Sequence, residues 1–193
     1  MQGETNYNYP QKYACSFPSM IHDWRQKFGQ PELMFLFVQL APSTQLGNFV
    51  GLRAAQMVAL ELPKVGYAVA VDIGDISSPM GSIHPRRKQE VGRRLSLEAR
   101  RMAYGESSLV STGPVMASVA AGTDDPNTLV VKYADGTAHG LHTAPTADCD
   151  KIGSKLCCGE SPFTVQATNG TWIRAAHAVK DATIVLVSRQ THY

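Results

Sequence analysis

Long hydrophobic runs are missing from this sequence of 193 residues. The longest, from Leu33 to Ala41, is broken at Gln39 and falls far short of the roughly 18 apolar residues a membrane-spanning helix needs. Charge of one sign is scarce as well. Eighteen Lys and Arg against 16 Asp and Glu leave a formal net charge of +2, too little to argue for a nucleic-acid partner. No internal repeat or low-complexity tract is evident, so collagen-like, coiled-coil and disordered readings drop out. What is present is ordinary globular composition, 44% hydrophobic, 18% charged and 8% aromatic. At about 150 residues per domain, that is enough chain for one full domain or two small ones.

A leader is missing too. Met1 is followed by Gln2-Gly3-Glu4, without the basic and apolar regions of a signal peptide. Yet the four cysteines, Cys15, Cys149, Cys157 and Cys158, are even in number and allow three pairings. Asn169-Gly170-Thr171 is a glycosylation sequon, usable only on a secretory route. Both signals fit if the natural start lies upstream of Met1.

Hydrophobic spacing organises the rest. Pro18 suits a first helical turn, with Ile21, Trp24 and Phe28 on one face and Gly29 and Pro31 as stops. Leu33 to Val38 reads as a strand buried on both faces. Leu52, Ala55, Gln56 and Ala59 fall at helical spacing between about residues 49 and 60, and Pro63 ends the pattern. Tyr67 to Val71 follows as a second strand, so strand, helix and strand predict a parallel βαβ unit. A loop with Gly74, Pro79, Gly81 and Pro85 precedes a helix over 86–104, carrying Val91, Leu95, Ala99 and Met102 in one stripe. Beyond residue 106 the pattern changes to short strands at 129–133, 163–167, 172–176 and 183–187, with turns at Asp135-Gly136 and Asn169-Gly170. The expected division is therefore an α/β part over 1–106 and a β-rich part over 107–193.

His84 is the most suggestive candidate for chemistry. It follows a glycine- and proline-bearing loop beyond a strand's carboxyl end, where open α/β sheets bind ligands. An imidazole there can relay protons near neutral pH. Asp72 and Asp75 at the strand end could orient it, or could simply form turns. His139, His142, Cys149 and Cys157 can be written as a zinc-like set, but no CxxC pair anchors them and disulfides are the better use. An adjacent Cys157–Cys158 ring would be strained, so Cys149 is expected to pair with one of the two. Seven of the 18 basic residues lie in 86–101, read as a solvated helix face in preference to an anionic-sugar lure. Trp24 reads as core and Trp172 stays open between core and sugar stacking.

Together, Gln2-Gly3-Glu4-Thr5-Asn6, Phe17-Pro18, Asp23-Trp24-Arg25 and Val38-Gln39-Leu40 resemble the sialate O-acetylesterase family of the SGNH hydrolase superfamily. The resemblance continues through Arg53, Gln56, Leu62-Pro63 and Ala68 to Asp72. It peaks at Gly81-Ser82-Ile83-His84-Pro85-Arg86-Arg87-Lys88-Gln89, with Arg94-Leu95 and Ala103-Tyr104-Gly105. It spans residues 2–106 in order and loosens over 107–193. It implies part of a three-layer parallel-sheet α/β domain of flavodoxin-like type, followed by a small β-rich region. It also implies hydrolysis of acetyl esters on sugars such as sialic acid by a serine nucleophile, without a metal or organic cofactor. By resemblance His84 is the base, Gln2, Gly3 and Glu4 form the site loop, and the amide of Gln2 can donate to the oxyanion.

Two departures accompany it. The superfamily's acid precedes its histidine by two or three positions, which here are Ser82 and Gly81. Asp75, ahead of Asp72, is then the expected orienter, or the pair works with backbone carbonyls alone. The family's nucleophile belongs to a Gly-Gln-Ser-Asn segment upstream of Gln2, and neither it nor a Gly-x-Ser-x-Gly elbow occurs here. Ser43, Ser77, Ser78 and Ser82 read as ordinary loop serines. The expectation is thus an esterase portion without its nucleophile, lysosomal or secreted when full length. The alternative is a catalytically inactive protein that binds carbohydrate or a partner.

Overall fold

A computed structural model describes residues 3–44, 47–123, 125, 127–142, 161, 163–181 and 183–187, the last of these as backbone. Two compact units divide between Thr112 and Gly113, against the expected boundary at 106.

The first unit is built in three layers. Helix α1 runs Pro10–Lys27, strand β1 Phe35–Gln39, helix α2 Phe49–Met57, strand β2 Val65–Val69 and helix α3 Lys88–Ala103. The strands pair in parallel from Phe35↔Val65 to Gln39↔Val69, joined through α2 as the βαβ pattern predicts. Odd-numbered strand residues face α1 and α2. There Phe37 and Val65 join Tyr13, Phe17, Ile21, Leu40, Phe49, Leu52, Ala55 and Ala59 in one buried cluster. Phe17 meets Phe35 and Phe37 edge-on at centroid distances of 6.0 and 5.3 Å, an arrangement the ring quadrupoles favour.

The opposite sheet face carries α3, and Gly66 lets it approach. A Cβ on Gly66 would stand 2.5 Å from Glu98 Oε1 and 2.6 Å from Met102 Sδ. Glu98 is the buried residue of α3, not one of the apolar stripe. Arg101 donates two hydrogen bonds to its carboxylate, at 2.9 and 2.6 Å, and the Ser111 hydroxyl a third. Burial pushes its pKa up, but these donors outweigh the burial and hold it below the usual carboxylate value.

Several sequence expectations change. The first helix starts at Pro10, which takes the N-terminal position, so Pro18 lies in its interior. The buried face runs through Tyr13, Phe17, Ile21 and Arg25, leaving Phe28 65% exposed. Trp24 is 44% exposed, with its ring 6.0 Å from that of Phe35, at the rim and not in the core. Only Phe37 of β1 is fully buried, because β1 pairs on one side alone among the described residues. Part of its other edge is closed by a side chain. Gln56 Oε1 accepts from Leu40 N–H and Gln56 Nε2 donates to the Val38 carbonyl, both at 3.0 Å. Buried Arg25 donates to the carbonyls of Leu33 (3.0 Å) and Pro63 (2.6 Å), tying the end of α1 to both strand approaches.

The second unit holds β3 Met116–Ala121, β4 Thr128–Tyr133, β5 Thr164–Gln166, β6 Trp172–Arg174, β7 Ala176–Lys180 and β8 Thr183–Val187. They form a four-stranded sheet in the order β3-β4-β8-β7 and a β5–β6 hairpin. Val131, Val165 and Ala175 are its buried cluster. Cys149, Cys157 and Cys158 lie outside the described residues, while Cys15 is a free, exposed thiol. No described helix is long and apolar enough to cross a membrane.

Because Leu52 is 0% exposed and Val50, two residues away on the same helix, is 73% exposed, their truncations should separate cleanly. Leu52→Ala is expected to destabilise the fold by about 2–5 kcal/mol. Val50→Ala should stay within about 0.5 kcal/mol, both read from denaturant midpoints.

Candidate functional site

The segment from Ala70 to Arg87, beyond the carboxyl end of β2, is closed by its own side chains. Arg86 is the clasp. Its Nε and backbone N–H donate to Asp75 Oδ2 at 2.6 and 3.2 Å, and its Nη2 to Asp75 Oδ1 at 2.9 Å. Ser77 Oγ adds a bond to Oδ1 at 3.2 Å. The Asp75 residue is 4% exposed, so its carboxylate is satisfied almost wholly by protein donors. The Arg86 hydrogen bonds draw its pKa from 3.8 to about 2, against the opposing effect of burial.

Inside this clasp the backbone of His84 is pinned twice. Ser78 Oγ donates to its carbonyl at 2.6 Å, and its own N–H donates to the Gly81 carbonyl at 2.9 Å. Ile83 beside it packs on the core cluster that contains Tyr13 and Leu40. The His84 residue is exposed, and no hydrogen bond to its ring is found among the described residues. The result is a fixed main chain presenting a free imidazole to solvent, an arrangement suited to proton transfer with an incoming group.

Two further segments reach the same end of the sheet. Ser82, buried, hydrogen-bonds through Oγ with Ser43 Oγ (3.0 Å) and Thr44 Oγ1 (2.7 Å), and accepts from Thr44 N–H at 3.1 Å. This ties the segment after β1 to the His84 loop. Gly3 lies over Tyr13 and Leu40, where an added Cβ would be 3.2 Å from the Tyr13 hydroxyl. Burial and, secondarily, the Glu4 carboxylate push that hydroxyl up to about 12.

The sequence candidates are therefore distributed as follows. Gly3, Glu4 and His84 sit on segments held to one core at the carboxyl end of β1 and β2, and Gln2 lies outside the described residues. Neither acid chosen as orienter bonds the His84 ring. Asp75 is taken by Arg86, and Asp72 accepts from Arg94 at 2.6 and 2.7 Å. The reason is electrostatic: the residues just after His84 are rich in arginine, and a bidentate guanidinium outcompetes a neutral imidazole for a carboxylate. Ser82 is bonded toward residues 43–44, and Ser77 and Ser78 toward Asp75 and the His84 carbonyl. The basic face of α3 is mostly self-neutralised. Arg86, Arg93, Arg94, Arg100 and Arg101 all pair with carboxylates, leaving Arg87 and Lys88 without one among the described residues. No group of three or more His, Cys, Asp or Glu placed to hold a metal occurs among the described residues. The residues that sequence reasoning passed over are Arg86 as clasp and Ser78 as anchor. The nine intervening residues of a doubly proline-punctuated loop gave no spacing signal for either.

No family model matches the chain. Among curated proteins it is 41% identical over 132 residues to the sialate O-acetylesterase of Homo sapiens, covering 59% of this chain and 25% of that protein. It is 43% identical over 133 residues to the sialate O-acetylesterase of Mus musculus, covering 59% and 24%. A crystal structure of a carbohydrate acetylesterase from Xanthomonas citri superposes with a TM-score of 0.71 at 30% identity, covering 96% of this chain and 40% of that one. The chain thus spans about a quarter of the length of the curated relatives it matches.

The clasp should respond to acid. Asp75 titrates lower in the folded state than unfolded, so its stabilisation is complete above about pH 4 and is lost as pH falls toward 2. At neutral pH, Asp75→Asn should reproduce the acid state. Hydrogen exchange at the Arg86 amide is expected to accelerate, while amides in the middle of α1 keep their protection.

Proposed function

Taking as premise that the chain belongs to the sialate O-acetylesterase family, we propose that it carries the general-base portion of a carbohydrate O-acetylesterase acting on acetylated sialic acids or related sugars. One observation supports this above the others: His84 has a clasped backbone and an unoccupied ring at the carboxyl end of a parallel sheet. The Gly3-Glu4 segment rests on the same core, and the relatives' printed names supply the substrate class.

In this reading a serine from sequence outside residues 1–193 is the nucleophile. His84 takes the serine proton as the oxygen attacks the acetyl carbonyl, then returns it to the departing sugar hydroxyl. The acetyl-enzyme is cleaved by water that His84 deprotonates, and acetate leaves. Gln2 and backbone N–H groups of its segment serve the developing oxyanion. Asp75 acts at one remove. By holding Arg86 it fixes the loop in which His84 sits, so the imidazole is oriented by its backbone and not by a carboxylate bond. The sequon and cysteines support a secretory or lysosomal route. The same chain would serve as an inactive sugar-binding protein if no serine ever joined it.

In the full-length protein, His84→Ala is expected to lower kcat for acetate release from an O-acetylated sialic acid by about a hundred- to ten-thousandfold, with KM little changed. Undiminished turnover in that variant would remove His84 from the mechanism.

A further inference from the structure

We propose that Asn169 is an N-glycosylation site whose oligosaccharide projects from the tip of the β5–β6 hairpin, an inference independent of the esterase reading. Asn169-Gly170-Thr171 is the one Asn-x-Ser/Thr triplet in the sequence. In the folded protein it occupies a turn and not a strand. The hairpin pairs Thr164↔Arg174 through Gln166↔Trp172, then closes through Ala167 N–H to the Thr171 carbonyl at 2.8 Å. Gly170 N–H returns to the Ala167 carbonyl at 2.9 Å, and Gly170 adopts φ 85°, a conformation that glycine takes without strain. Asn169 therefore stands at the apex.

The side-chain geometry separates the two ends of its amide. Asn169 Oδ1 accepts from Thr171 N–H at 3.0 Å, while Nδ2, the atom that would carry sugar, has no hydrogen-bond partner among the described residues. Asn169, Gly170 and Thr171 are all exposed, and the Thr171 hydroxyl is likewise unengaged among the described residues. The hairpin's packing lies elsewhere, through Val165 in the buried cluster of its unit. An oligosaccharide on Nδ2 would thus displace no packed side chain. It would also stand next to Trp172, 63% exposed, and Ile173, 40% exposed, an apolar pair that a hydrophilic neighbour would shield.

The transfer needs a co-reactant of one class, an oligosaccharide linked through its anomeric carbon to a lipid diphosphate, presented by a secretory-pathway transferase. Nδ2 attacks that carbon, the carbon–oxygen bond to the diphosphate breaks, the carbon–nitrogen bond forms and the amide nitrogen loses one proton. The lipid diphosphate leaves with the bonding electrons. The Thr171 side chain supplies the hydroxyl that such transferases require two residues after the asparagine.

The test is to secrete the chain from a eukaryotic cell behind a cleavable leader and treat it with peptide-N-glycosidase in heavy-oxygen water. Peptide mass spectrometry should find labelled aspartate at position 169, with loss of one glycan from the intact mass. Asn169→Gln and Thr171→Ala should each abolish that loss, and Thr171→Ser should keep it. An unmodified Asn169 in the secreted chain, or a glycosidase-sensitive mass that survives Asn169→Gln, would overturn the proposal.

Discussion

The ion pair between Asp75 and Arg86 is the constraint on which the candidate site depends. Exposed ion pairs contribute little, since water and side-chain freedom oppose them. Here one partner is buried and both of its oxygens are used, so losing the arginine would strand a desolvated carboxylate. The pair also closes a loop. With Asp75 and Arg86 joined, the segment between them has far fewer conformations to search, and Ser78 removes more by holding the His84 carbonyl. A histidine whose main chain is fixed needs little further orientation to meet a partner.

The fold places that loop where it can act. A parallel pair of strands sends both of its following segments to the same end, so the His84 loop after β2 meets residues 43–44 after β1. The Ser82 hydroxyl joins them. Gln56 serves the sheet differently, satisfying Val38 and Leu40 where β1 has no strand beside it among the described residues. Unpaired strand edges invite association, and a carboxamide that mimics a neighbouring backbone blunts one end of this edge. Behind the sheet, Gly66 and the Glu98–Arg101 pair set how closely α3 approaches.

Much of this was legible in the sequence because it is written in periodicity. The βαβ order of the first unit and the β8 segment at 183–187 follow from apolar runs and turn residues. Features that depend on tertiary partners were not legible. Nothing in the spacing of Gln56 distinguishes a strand-edge cap from a helix-face residue. Glu98 looks like a solvent-facing charge until Gly66 and Ser111 are brought to it. β3, Met116–Ala121, was missed because its small residues do not alternate and all six are exposed. His84 was identified through its loop position and family resemblance, yet its supporting acid was not. The sequence shows two aspartates before the histidine but not the arginines after it that claim them.

The central claim is that Asp75 and Arg86 act on catalysis only as a pair, through the position of His84. The direct measurement is a double-mutant cycle on acetate release by the full-length protein, comparing Asp75→Asn, Arg86→Gln and the combination. The account predicts that each single variant lowers kcat with KM nearly unchanged, and that the double variant is no slower than the slower single one. Additive losses, or a double variant that stays at the parent rate, would contradict it.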